Sequence, residues 1–282
     1  MSSVAVLGTD FEVGKSFVVS LLCRYLRERG KVTPFKGISL TNQVIDSPRI
    51  AFAQAVQAKV ANTKPDQRMN PVLLVPSKNR VEIYVEGEKL GLYRLKEIPP
   101  KILEQMKGAV EENAKSLLGD HEFVCVEGMG NLSPSVELGT LNRLMEIGNW
   151  HATRVVNARV VLCSRDLEGL SSFVSRLPQE DRERVKLALT NRLDLIQTVL
   201  EWGYKEREAK LLAAVFRLFY RKPNKLKFLG ILPEFPELSG LPPLDPPTGK
   251  HPAQVDKWVE AIEGIWGRAK EYMKWGRLDK IL

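Results

Sequence analysis

Residues 4–16 constrain this chain more than any other stretch. Val4-Ala5-Val6-Leu7 is a short apolar run that reads as a buried strand, Gly8 and Gly14 bracket a loop, and Lys15-Ser16 opens an amphipathic segment. Strand, glycine-bounded loop and helix in that order make a phosphate-binding loop. The chemistry needs these residue types: backbone N–H groups at a helix N-terminus hold phosphate oxygens, a lysine neutralises the outer phosphates, and a hydroxyl ligates Mg²⁺. The common pattern is one residue shorter between its glycines. Here five residues, Thr9-Asp10-Phe11-Glu12-Val13, separate them. A Gly-Lys-Ser met by chance is the plainer reading, and it leaves the flanking strand and helix unexplained.

Beyond the loop, helix and strand periods alternate. Val18, Leu21, Leu22 and Tyr25 recur at helical spacing and predict a helix to about Arg29, stopped by Gly30. Val32-Thr33-Pro34-Phe35 reads as a second strand ending in Lys36-Gly37. A basic residue just past a strand end, one βα unit after a phosphate loop, points to the ligand-binding carboxyl edge of a parallel sheet; an exposed lysine is the alternative. Residues 38–48 read as polar with a turn signal at Asp46-Ser47-Pro48, and a helix follows from about Arg49 to Ala61. Met69-Asn70-Pro71-Val72-Leu73-Leu74-Val75-Pro76 is an apolar run between prolines. Val81 to Val85 alternates with period two and, with Lys89 to Tyr93, predicts a small hairpin.

Pro99-Pro100 start a helix reaching Leu118, and Phe123-Val124-Cys125-Val126 is a buried strand that ends in Glu127-Gly128-Met129-Gly130. A carboxylate there suits a Mg²⁺ or water partner opposite a phosphate loop, or else it caps the next helix. Further strands are expected at residues 158–163, 185–189 and 226–232, with a long helical stretch over 194–221. Proline and glycine crowd residues 233–252, which read as a linker. Val255, Trp258, Val259, Ile262, Ile265, Trp266, Ala269 and Met273 then form one apolar helical stripe. Strands alternating with helices argue for an α/β layered fold with a mostly parallel sheet. Residues 1–245 are expected to form one domain, followed over 246–282 by a linker and an amphipathic helix packed on that domain or on a partner.

Composition works by exclusion. Hydrophobic residues at 44% and charged residues at 27% describe an ordinary globular protein. No stretch approaches the roughly 18 apolar residues of a membrane span, and no signal-peptide pattern opens the sequence, so a cytoplasmic location without a membrane partner is expected. The net charge of +8 raises nucleic acid, yet Lys and Arg alternate with Glu along helices, as in Glu201 to Lys210. That is a solvated face and argues against a nucleic-acid partner; a nucleic-acid-binding ATPase would rest on charge alone. Cys23, Cys125 and Cys163 read as small core residues, with no disulfide framework or metal spacing.

The extended loop from Gly8 to Ser16 is similar to that of dethiobiotin synthetase and its relatives, the cobyrinic and cobyric acid synthases. Pro34-Phe35-Lys36, Ala53-Gln54-Ala55-Val56-Gln57-Ala58, Met69-Asn70-Pro71-Val72-Leu73-Leu74 and Val126-Glu127-Gly128-Met129-Gly130 resemble, in the same order, the synthetase domain of cobyric acid synthases, amidases of cobalamin biosynthesis. Weaker matches are Ser133-Pro134-Ser135, Thr190-Asn191-Arg192 and Leu229-Gly230-Ile231-Leu232-Pro233. Met-Asn-Pro-Val-Leu-Leu is the specific one, because neither helix periodicity nor a turn requires it.

The resemblance covers about residues 4–245 and implies a P-loop NTPase of the dethiobiotin synthetase type, a mostly parallel sheet flanked by helices. It implies ATP and Mg²⁺, with Gly8, Thr9, Asp10, Glu12, Val13, Gly14, Lys15, Ser16 and Phe17 along the nucleotide, and with Asn191 and backbone near Pro233 at the adenine. Ser16, Glu127 and Asp46 would surround the metal. Lys15, Lys36 and Glu127 would be the catalytic set, Lys36 facing the γ-phosphate and a substrate carboxylate. In the implied reaction the carboxylate attacks that phosphate, and ammonia converts the acyl phosphate to an amide. Positioning and charge neutralisation carry most of a phosphoryl transfer, so two lysines and a metal are sufficient equipment.

The family's glutaminase domain lies outside the match, and none of the three cysteines reads as a nucleophile turn. Ammonia is therefore expected free or from a separate glutaminase subunit. Other departures fall on the substrate side: Arg49 stands at an acidic position, Phe52 at an arginine, Val75 at a lysine, and Arg165-Asp166-Leu167-Glu168-Gly169 replaces Asp-Arg-Gly-Gly. The expectation is an ATP-dependent carbon–nitrogen ligase acting on a small-molecule carboxylate, a corrinoid (cobyrinate diamide) by default, and working as a homodimer. Two alternatives stand beside it. One is a dethiobiotin-synthetase-like ligase; the other is a diverged nucleotide-binding regulatory or interaction protein whose stripe of Trp258, Ile262 and Trp266 docks a partner.

Overall fold

The computed structural model describes residues 1–130, 139–164, 174, 177–190, 227–233, 235–245 and 254–282. Along the chain come β1 (Ser2–Gly8), β2 (Val32–Phe35), β3 (Ile38–Leu40), β4 (Val44–Asp46), β5 (Arg49–Ala51) and β6 (Val72–Ser77). They are followed by β7 (Arg80–Val85), β8 (Glu88–Tyr93), β9 (Phe123–Glu127), β10 (Arg159–Ser164), β11 (Val185–Thr190) and β12 (Lys227–Ile231). The helices that build the site are α1 (Lys15–Leu26), α2 (Phe52–Val60) and α3 (Pro100–Asp120).

Six strands form one parallel sheet in the order β12-β11-β10-β1-β9-β2. Their apolar runs fit a sheet covered on both faces. Alternate residues of β1 point into different cores. Val4 and Val6 join Leu21 of α1, Val56 of α2 and Ile262, while Ala5 and Leu7 join Val110 of α3, Leu74 and Val124. The register pairs Val6 with Glu127 and Phe35 with Val126, so the carboxyl ends of β1, β9 and β2 lie side by side. Those three ends carry Gly8, Glu127 and Lys36.

Not every strand enters that sheet. β3, β6, β7 and β8 make a second sheet, in that order, with β6, β7 and β8 antiparallel. Local geometry dictates this: β7 and β8 are joined by Glu86-Gly87, both with positive φ (50° and 84°), the two-residue turn that only an antiparallel hairpin accepts. The expected helix start at Arg49 is also displaced. Arg49–Ala51 pairs with Val44–Asp46 as a hairpin around Ser47-Pro48, and α2 begins at Phe52.

The apolar stripe lies on the helix Val255–Ala269, whose Trp258, Ile262, Ile265, Trp266 and Ala269 are buried in the core shared with α1 and α2. Arg24 of α1 and Arg27, which caps it, pair with Glu263 at 2.8 and 2.7 Å. Past this helix the chain returns to β12, where the Lys274 N–H donates to the Leu229 carbonyl at 2.6 Å. Gly230 permits that approach, since a Cβ there would stand 2.4 Å from the Tyr272 carbonyl oxygen. Residues 235–245, expected within a linker, lie against the protein: Phe235 packs on Phe17 with ring centroids 5.9 Å apart, and the Trp258 indole N–H donates to the Pro242 carbonyl at 3.0 Å. Among the described residues no helix is long and apolar enough to cross a membrane.

Candidate functional site

The loop after β1 is shaped by two residues of positive φ, Glu12 at 53° and Gly14 at 82°. This conformation turns successive N–H groups toward one concavity at the start of α1, which suits an anion. Gly8 has its own reason: a Cβ there would stand 2.9 Å from Lys15 Nζ and from the Asp10 carbonyl oxygen. Lys15 folds back over the loop and donates to the Gly130 carbonyl at 2.6 Å and the Asp10 carbonyl at 3.3 Å. Burial, and secondly the charge of Lys36, hold its ammonium below the usual lysine range. A phosphate would supply the counter-charge that the two carbonyls do not.

Glu127, at the end of β9, is fully buried and accepts four hydrogen bonds. Lys36 Nζ reaches Oε1 at 2.6 Å and Ser16 Oγ reaches it at 2.8 Å; Gln57 and Gln54 donate to Oε2 at 2.5 and 3.3 Å. Gln54 and Gln57 stand three apart on α2 and so share one face. Lys36 is also buried, and its ammonium pairs in addition with Asp245. Its backbone is clamped at both groups: its N–H donates to the Met69 carbonyl at 2.8 Å, and its carbonyl accepts from Asn70 Nδ2 at 2.8 Å. Asn70 Oδ1 in turn accepts from the Ala51 N–H at 3.0 Å. The Met-Asn-Pro run that no periodicity explains thus ties the end of β2 to the start of α2.

Burial raises the Glu127 pKa, but Lys36 and the hydrogen bonds from Lys36, Gln57 and Ser16 override it and leave the carboxyl below its usual range. For Lys36, burial likewise opposes the charge, and Asp245 and Glu127 override it, so its pKa is raised. The two directions set the pH window. A depressed carboxyl contributes stability above its unfolded pKa of about 4.3, lost as pH falls through the folded value; a raised lysine contributes below about 10.4, lost as pH rises through the folded value. Between roughly pH 5 and 10 the pair is fully ionised. The melting temperature of the native protein should therefore fall more steeply below pH 4 than that of Glu127→Gln, and parallel acid limbs would refute the assignment.

Together these groups floor a cavity of about 750 Å³. Lys15, Ser16, Lys36 and Glu127 supply its polar side, and Met129, Leu141, Met145, Leu238, Leu241 and Leu244 its apolar walls. Glu12, Gly14 and Phe17 also line it, while Gly8, Thr9, Asp10 and Val13 belong to the loop without lining the cavity. Thr9 Oγ1 donates to Ser164 Oγ at 2.8 Å, Asp10 Oδ1 accepts from the Phe11 N–H at 2.7 Å, and Val13 is buried. Pro233 is buried just beyond β12 without lining the cavity, and Asn191 lies outside the described residues.

Asp46 is not brought to Ser16 and Glu127. Its side chain is 87% exposed on the β4–β5 hairpin and pairs with Arg49 at 3.3 Å, because the short turn aims it outward. The departures Arg49, Phe52 and Val75 do not line the cavity either: Arg49 lies over the Tyr84 ring, Phe52 is a core residue of α2, and Val75 pairs with Glu82 in the second sheet. Three residues bonded to the pair of Lys36 and Glu127, namely Gln54, Gln57 and Asp245, have no role in the reading of the sequence. Gln54 and Gln57 carry a signal, two glutamines one turn apart on a helix whose only other polar residue is Lys59. Asp245 carries none, because it sits in a proline-rich stretch with no periodicity.

No protein-family model matches the chain. Individual relatives do. The probable cobyric acid synthase of Methanopyrus kandleri is 35% identical over 222 residues, covering 75% of this chain and 44% of that protein. The corresponding protein of Archaeoglobus fulgidus is 35% identical over 219 residues, covering 74% and 46%. The cobyric acid synthase of Clostridium perfringens is 27% identical over 246 residues, covering 83% and 46%. The chain thus spans somewhat less than half the length of these curated relatives. With the phosphate loop at the end of β1, the parallel sheet around it and this identity, the chain is a P-loop protein and a homologue of the cobyric acid synthases.

Proposed function

We propose that the chain binds ATP with Mg²⁺ and uses it to phosphorylate a carboxylate, giving an acyl phosphate that ammonia converts to an amide. The observation that carries this is the convergence, in one cavity, of the loop lysine Lys15 with a second lysine, Lys36, bonded to a strand-end carboxylate. The pair Ser16 Oγ and Glu127 Oε1, 2.8 Å apart at the head of α1, is a donor set of hard oxygens that fits Mg²⁺. The metal would neutralise charge on the phosphates. Lys15 would follow the outer phosphates, and Lys36 would hold the γ-phosphate beside the substrate carboxylate, keeping both anions in reach of each other. Asn191 and backbone near Pro233 are proposed for the adenine. Asp46 is left out of the metal set because it points to solvent.

The relatives are named cobyric acid synthases, which supports a corrinoid acid, cobyrinate diamide by default, and the apolar walls suit a bulky substrate. Ammonia would arrive free or from a separate glutaminase, and pairing as a homodimer belongs to the same proposal. A partner-docking role for the terminal stripe gains no support, since Trp258, Ile262 and Trp266 are buried in the chain's own core. The test is phosphate release from ATP and Mg²⁺ with ammonium and a panel of acids including cobyrinate diamide, with Lys15→Ala as the blank. Release that rises with acid and ammonium together is expected; turnover indifferent to every acid would sink the reading.

A further inference from the structure

We propose that Asp245 sets the affinity of this cavity: its carboxylate, paired with Lys36, occupies the place that an anionic ligand takes, and binding exchanges it for a ligand oxygen. The inference rests on reading the cavity as a nucleotide and carboxylate site.

Lys36 holds two carboxylates, and they differ in their freedom to leave. The Glu127 side chain is 1% exposed and receives Ser16, Gln54 and Gln57 besides the lysine. The Asp245 side chain is 20% exposed, its Oδ2 receives Lys36, and its Oδ1 is buried with no partner among the described residues. A buried acceptor left unsatisfied lowers the cost of withdrawal. The residues before Asp245 are fastened by other contacts, with Phe235 on Phe17 and the Pro242 carbonyl on Trp258, so outward rotation of its carboxylate does not require them to undock.

Charge points the same way. Lys15 and Lys36 are matched by Glu127 and Asp245, and Glu12 adds an exposed carboxylate to the lining, so the cavity offers an anion no net positive charge while Asp245 stays on Lys36. An incoming phosphate or carboxylate oxygen that reaches Lys36 meets Asp245 as a like charge, and moving that carboxylate to solvent restores a cation for the ligand. A ligand that must first displace an internal occupant binds more weakly by the fraction of the protein that is open.

The experiment is calorimetric titration of ATP and of ADP, each with Mg²⁺, into the native protein, Asp245→Asn and Asp245→Ala, with the melting temperature of each as the folding control. KM for the acid is read in the phosphate-release assay. If the γ-phosphate displaces Asp245, ATP should bind the variants about 3–10-fold more tightly while ADP is unchanged. If the substrate carboxylate does, the KM for the acid should fall by a similar factor with both nucleotides unchanged. In either case the gain should vanish when Lys36→Met is added. Affinities and KM that are unchanged or weaker in folded variants overturn the exchange while leaving the parent reading intact. ATP that binds neither the native protein nor the variants overturns both.

Discussion

Lys36→Met is expected to destabilise the protein by about 3–5 kcal/mol near neutral pH and to reduce acid-dependent phosphate release by about a thousandfold. The stability loss follows from what the lysine leaves behind. Glu127 is fully buried with its Oε1 on Lys36, and removal of one partner from a buried ion pair strands the other charge. Methionine fills similar volume, so packing contributes little. The pH dependence identifies the cause: an unpaired buried Glu127 has a raised pKa, so the deficit should shrink as the solution is acidified toward pH 4–5, where the carboxyl protonates. Urea denaturation of both proteins at pH 8 and pH 5 checks this. A deficit equal at both values would assign the loss to packing.

Lys15→Met should separate activity from stability in the opposite way. Among the described residues its ammonium bonds to the Gly130 and Asp10 carbonyls, and its pKa is held down by burial and by Lys36. Removal therefore relieves a poorly compensated charge while losing two neutral acceptors, and the net change should lie within about 1 kcal/mol. Turnover should nonetheless fall by about 10²–10³-fold or more, since charge stabilisation of the transferring phosphoryl group is the work this residue is proposed to do. Thermal melting and phosphate release on one preparation decide the matter. A variant that melts tens of degrees lower would show that Lys15 is structural.

The parts of the molecule legible in the sequence are those whose chemistry is local. β1, the loop and α1 announce themselves because a buried strand, a phosphate-shaped backbone and an amphipathic helix each leave a short-range pattern at residues 4–26. Lys36 and Glu127 were visible as polar residues at the ends of apolar strands, and parallel register then places them side by side. What the sequence hides are contacts between distant segments. Asp245 meets Lys36 across 209 residues, and no spacing rule spans that distance. The hairpin of β4 and β5 misled for a different reason: Arg49 to Ala51 carries the same apolar character as the helix it precedes, and only pairing with Val44 to Asp46 keeps it extended. That pairing also turns Asp46 away from the site where the resemblance would put it.

Isotope transfer tests carboxylate activation most directly. With oxygen-18 in the carboxylates of cobyrinate diamide, unlabelled water, ATP, Mg²⁺ and ammonium, the phosphate released is examined by mass spectrometry. Attack of the carboxylate on the γ-phosphate, followed by ammonia at the acyl carbon, carries a single substrate oxygen into the phosphate. Phosphate bearing that one heavy oxygen is the predicted result; phosphate released at the same rate without label would mean that water, and not a carboxylate, takes the phosphoryl group.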